Sequence, residues 1–291
     1  MATRTNPLAQ TNVSDASFRA WINEIHSGLT GFGWLQTSDT GQINFVTVTR
    51  PTAINTYQGY AVYKMNDSLQ ATTAVFMRLD FGTGAQTDVP AFKLQVAIGG
   101  TDGAGALTGQ LGTQQTLSGN TANASSVNVR SAGTSSAYRM SFWDTNGGGN
   151  GFMFAIERDL DASGTETTSG VCVITQWVQA GSVQFLGSQF IPASGSVGTN
   201  DATWYALIST AANQTGGGNV GVAPVRVQYG PMRNPMRGVL VCARADFTPE
   251  TTSLVTIYGA AHTYLFLRPA TSGAKSLNTI NSDCEYALLF E

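Results

Sequence analysis

Between residues 15 and 29 the apolar side chains Phe18, Trp21, Ile22, Ile25 and Leu29 recur at helical spacing. That stripe predicts one amphipathic helix, with its polar positions facing away. Ser14 or Asp15 offers the N-cap, and Gly28, Gly31 and Gly33 supply the stop. Beyond residue 34 the period changes from helical to two. Residues 43–50, 59–65, 75–81 and 92–98 are dense in β-branched and aromatic residues, with turn residues between them. Further strand patterns cover 138–143, 151–157, 170–178, 183–190, 202–209, 219–227, 238–244, 254–258, 263–267 and 284–290. Asn-Gly-Gly-Gly-Asn at 146–150 and Gly-Gly-Gly-Asn at 216–219 punctuate them, and Ala180-Gly181 joins two runs tightly enough for a hairpin.

Many short strands, glycine and asparagine turns, and one helix predict a mainly β protein. The expected architecture is an antiparallel β-sandwich or barrel-like fold with one N-terminal amphipathic helix. Residues 1–14 read as an irregular polar arm and 15–112 as the helix plus a first β region. The polar stretch 113–130 reads as a loop or linker, or as a surface strand pair. Residues 131–291 form a second β region, continuous with the first or separate from it. No internal repeat points to a solenoid or propeller.

Charge changes the picture. Only 11% of the residues are charged, against about 25% in a typical soluble domain. The net charge is −3, with no basic run, so the pattern argues against a nucleic-acid partner. No apolar stretch is long enough for a membrane-spanning helix, so no membrane insertion is expected. The polar start, Met1 to Pro7, lacks the apolar core of a signal peptide; the expectation is synthesis in a cytoplasm. Cys172, Cys242 and Cys284 are odd in number and widely spaced, which predicts buried free thiols.

Catalytic chemistry finds little to build on. His26 lies beside the helix stripe and His262 before a C-terminal strand, with no Gly-x-Ser-x-Gly elbow for either. The chain is therefore not expected to be an enzyme, and no cofactor is expected. The densest acidic segment holds Glu157, Asp159, Asp161 and Glu166. A polysaccharide depolymerase using Asp159 and Asp161 is its catalytic reading. Asp159, Asp161 and Ser163, followed by Gly164, also match the first half of a calcium loop, whose alternate oxygen ligands need a glycine turn at the sixth position. The match stops at Gly170, where a bidentate Glu is wanted; Glu166 is a substitute from another place. The glycine-rich stretch 101–109 lacks the Gly-Lys-Ser/Thr of a phosphate loop. It reads as a loop that must bend sharply or approach another backbone.

A series of short motifs marks the N-terminal third: Phe18-Arg-x-Trp21, Asp39-Thr-Gly-Gln-Ile43, Gly59-Tyr60, Asn66-Asp67-x-Leu69-Gln70, Phe81-Gly-x-Gly84 and Thr101-Asp-Gly-Ala-Gly-x-Leu-Thr-Gly109. Over residues 15–110 this series resembles uncharacterised structural proteins of tailed-bacteriophage virion gene clusters. The resemblance implies a component of tail, neck, baseplate or capsid surface, located in the virion after synthesis in the bacterial host. It implies no activity and carries over no functional residue. The expected partners are further copies of the chain and other virion proteins, with Phe18, Trp21, Ile22 and Ile25 at the core or a subunit interface. The second expectation is a protein that binds a receptor or host surface glycan.

Overall fold

The computed structural model describes residues 2–8, 12–118, 127–144, 151–160, 163, 165–178, 182–191, 203–206, 222–229, 232–243, 250–257, 259–267 and 284–291. The chain is mainly β; the described residues form one helix and three antiparallel sheets, a sandwich-like arrangement. Helix α1 is Asp15–Gly31, with Ser14 as N-cap. The Ser14 hydroxyl accepts the Ser17 N–H, and the Ser17 hydroxyl accepts the Ser14 N–H. Two otherwise unpaired donors are satisfied by this reciprocal box.

The front sheet has the order β2 (Leu35–Gln36), β3 (Tyr57–Lys64), β4 (Phe76–Thr83), β5 (Pro90–Thr101), β6 (Leu107–Ser118). The back sheet runs β1 (Ala2–Leu8), β7 (Val127–Thr134), β8 (Ala137–Asp144), β9 (Gly151–Leu160), β10 (Glu166–Val178), β11 (Ser182–Ile191). Period-two alternation turns Met77, Leu79 and Phe81 of β4 and Phe92, Leu94 and Val96 of β5 inward, all fully buried. Phe92 meets Phe152 and Phe154 of β9 edge-on, at 5.2 and 5.8 Å between ring centres, so the two sheets share one core. The helix plugs the side of that sandwich. Trp21 lies edge-on to Phe81 of the front sheet and Phe142 of the back sheet.

The third sheet has the order β12 (Thr203–Ala206), β13 (Val222–Tyr229), β14 (Met232–Ala243), β17 (Cys284–Leu289), β16 (Ala260–Leu267), β15 (Thr252–Ile257). Leu240, Tyr264, Phe266 and Ala287 form its own small core. It is tied to the back sheet by charge. Arg139 of β8 pairs with Glu157 of β9, both nearly buried, and the Gly238 N–H of β14 donates to the same carboxylate at 3.1 Å. A Cβ at Gly238 would overlap both side chains. Arg130 of β7 pairs with Glu250 at 3.2 Å, and Asn128 donates to the same carboxylate.

Each predicted strand outside 43–50 overlaps an observed one; the predicted strand residues 202, 207–209, 219–221, 244 and 258 lie outside the described residues. Four differences stand out. Part of the arm 1–14 is regular: Ala2–Leu8 is strand β1, paired with β7 from Ala2↔Gly133 to Leu8↔Val127, while residues 1 and 9–11 lie outside the described residues. Arg4 and Asn6 clasp Glu24 of the helix at 2.8–2.9 Å, which fixes the strand on the molecule. Residues 43–50 are not a strand. The Asn44 carboxamide accepts the N–H groups of Val46 and Thr47, an Asx turn that curls the segment. Within 113–130, residues 113–118 continue β6 and 127–130 open β7; residues 119–126 lie outside the described residues. Finally, Phe18, Trp21, Ile22 and Ile25 expose no surface and belong to the chain's own core. They are therefore core residues rather than a subunit contact.

Candidate functional site

On the outer face of the front sheet, opposite the core, lies an open hollow of about 360 Å3. Tyr57, Arg78, Asp80, Lys93, Gln95 and Gln114 supply most of its polar groups. Strand alternation sets these positions: Arg78 and Asp80 flank inward Leu79, and Lys93 and Gln95 flank inward Leu94. The size sits at the lower end of the roughly 300–1,000 Å3 of small-ligand sites.

Two irregularities of the β5–β6 ladder shape the hollow. Leu94 pairs with Gln115 and Val96 with Leu111, so β6 carries extra residues opposite Gln95. Ala97 pairs with Gln110 and Gly100 with Thr108, which puts an extra residue on β5. Bulges re-aim side chains and recur beside functional sites. From this part of β6, Gln114 reaches across β5 and donates to Asp80 at 2.7 Å.

The connection between β5 and β6 forms the wall. Asp102 accepts the N–H groups of Ala104 and Ala106 at 2.8 and 3.0 Å, and these bonds hold its carboxyl below the usual range. Gly105 has φ +90°, and a Cβ there would strike the Tyr60 ring, so glycine is required. The Tyr60 hydroxyl donates to the carbonyls of Thr40 and Ala104. The glycine-rich stretch thus bends sharply against a neighbour, as its sequence predicts.

The charges divide unequally. Arg78 holds Asp80 at 2.6–3.2 Å, donates to the Gly105 carbonyl at 2.8 Å and lies 4.2 Å over the Tyr60 ring. Asp80 faces Lys93 in the register but turns its carboxylate to Arg78 and Gln114. Lys93 is left over the Tyr57 ring, 4.3 Å from its centre, with no carboxylate in salt-bridge reach among the described residues. Burial raises the Tyr57 hydroxyl pKa, partly offset by a hydrogen bond from Thr116, so it stays protonated at neutral pH. Val62, Ala97 and Leu107 are buried together in a small apolar cluster, with Tyr60 and Phe76 packed against it.

The residues singled out from sequence are not assembled here. His26 stacks on Phe45 at 4.3 Å and meets the Tyr63 hydroxyl at 2.9 Å; burial lowers its pKa. His262 pairs with Glu291, far along the chain from His26. Of the calcium-loop candidates, Asp159 is the last but one residue of β9 and Ser163 is exposed with its hydroxyl 3.2 Å from that of Thr165. Asp161 lies outside the described residues. Leu160 pairs with Glu166, and the Glu166 carboxylate accepts the Ser136 hydroxyl. Among the described residues no group of three or more His, Cys, Asp or Glu lies together as a metal site. Cys172 is a buried free thiol whose pKa burial raises. The side chains of Cys242 and Cys284 lie outside the described residues. Sequence reasoning missed Tyr57, Arg78, Asp80, Lys93, Gln95 and Gln114; the alternation of β4 and β5 held the signal, read then only for its apolar half. No helix is long and apolar enough to cross a membrane among the described residues. No protein-family model matches the chain, and no curated protein matches it.

Proposed function

We propose that the chain is a structural subunit of a bacteriophage virion, in tail, neck, baseplate or head surface, acting by self-assembly and docking to other virion proteins. The resemblance over residues 15–110 points to the virion setting. The observation that supports assembly is the edge of the third sheet. Strand β15, Thr-Ser-Leu-Val-Thr-Ile, carries neither charge nor proline, and Leu254 is 72% exposed on it. No described strand pairs with its outer side. Natural proteins guard such edges with charge, proline or a covering element, because bare edges recruit strands. Pairing with another chain would satisfy that row of backbone groups. The sparse charge fits as well: Arg4, Arg78, Arg130, Arg139 and Arg158 are each turned to an internal carboxylate. Those five cations are neutralised within the chain.

Light scattering on the purified protein tests the edge. The expected result is an oligomer for the wild-type chain and a smaller species for Leu254→Lys; equal mass for both rules out assembly through β15. Immunogold labelling of intact phage particles tests the setting. Gold on tail, neck or head supports it, and unlabelled particles with accessible epitopes overturn it. The hollow on the front sheet favours a second reading, a virion protein that binds a receptor or host glycan. The amides and the Tyr57 hydroxyl suit a ligand edged with hydroxyls.

A further inference from the structure

We infer that the front-sheet hollow takes an acidic saccharide, a hexuronic acid unit whose carboxylate pairs with Lys93. The inference rests on the glycan-binding reading and adds the charge of the sugar. Two observations converge on it. First, the lining is rich in groups that recognise hydroxyls: Gln95, Gln110 and Gln114 carboxamides and the Tyr57 hydroxyl. Gln95 is half-buried, and no described group bonds its amide. Gln110 and Gln114 each use the amide nitrogen internally, toward the Leu107 carbonyl and Asp80, which leaves their carbonyl oxygens as acceptors for ligand hydroxyls.

Second, the charges do not cancel. Arg78 and Lys93 are cationic and Asp80 alone is anionic among the lining residues. Asp80 is saturated by Arg78 and Gln114, so the residual positive charge sits at Lys93. A carboxylate on the ligand would balance it; a neutral sugar would leave it uncompensated. A small inorganic anion would use Lys93 but not the amide row.

Isothermal titration on the full chain distinguishes the parts of this proposal. The probes are tetrasaccharides of glucuronate, galacturonate and mannuronate, their carboxyl-reduced neutral counterparts, and inorganic phosphate. The expected result is that at least one uronate binds about five- to tenfold more tightly than its reduced counterpart, and that Lys93→Gln removes the difference. Gln95→Ala should weaken the acidic and reduced forms alike. Unchanged thermal unfolding of both variants shows that the loss is local. If acidic and reduced sugars bind equally, and Lys93→Gln alters neither, the charge inference falls while the glycan reading stands. If no saccharide binds, both fall. If phosphate binds as tightly as the uronates and competes with them, the hollow is a simple anion site and the saccharide inference is overturned.

Discussion

The two faces of the front sheet are made by the same strands and obey opposite rules. On the inner face Met77, Leu79, Phe81, Phe92, Leu94 and Val96 are sealed against the helix and the back sheet. On the outer face their neighbours Arg78, Asp80, Lys93 and Gln95 border an open polar hollow. One residue of displacement along a strand separates a packing position from a binding position. Stability and recognition are therefore separable by mutation in this sheet, although every residue concerned lies within a few ångströms of the other set.

The sharpest way to break the separation is on the inner side. Trp21→Ala empties a fully buried site between both sheets and should cost about 3–5 kcal/mol, read by denaturant unfolding. A loss near zero would mean that the helix does not hold the sandwich together. Next comes Asn12, at φ 57°, whose side chain accepts the Trp21 indole N–H at 2.7 Å and donates to the Gly82 carbonyl at 3.2 Å. Asn12→Ala leaves both partners unsatisfied and should cost about 1–3 kcal/mol in the same measurement.

A smaller effect depends on pH. Burial holds the His26 pKa in the folded chain below its ordinary value of 6.5. On acidification the unfolded chain then takes up this proton first. The contribution is complete above about pH 6.5 and is lost as the pH falls below it. His26→Gln should flatten that part of the stability profile in unfolding experiments between pH 7 and 5; an unchanged slope contradicts the buried, neutral imidazole. The smallest effect belongs to the outer face. Gln95→Ala should shift stability by no more than about 0.5 kcal/mol, and a loss like that of Trp21→Ala would erase the contrast between the faces.

The helix, and the β strands other than β1, β2, β6 and β7, were legible because their signals are local. The stripe from Phe18 to Leu29 and the alternation of β4 and β5 need no knowledge of the partner. The misreadings arose where a distant contact or a short polar side chain decides. Residues 43–50 have strand composition, yet Asn44 bends them by bonding two backbone N–H groups. Residues 2–8 and 113–118 look like arm and loop because they are polar; pairing with β7 and β5 makes them strands. The helix stripe left core and subunit contact open, and the covering sheets settle it as core. The hollow was least visible. Its members come from four strands, and its shape depends on bulges that pair spacing reveals and composition does not.

Strand β1 also sets an order of events during synthesis. Its partner β7 emerges ~120 residues later, on the order of 6–24 s at ~5–20 residues per second. Until then Arg4 and Asn6 can hold Glu24, but the first strand has no ladder to join. The helix waits too, since Trp21 needs Phe81 from β4 and then Phe142 from β8. A growing chain therefore leaves the ribosome with its apolar stripe uncovered for most of the first 140 residues.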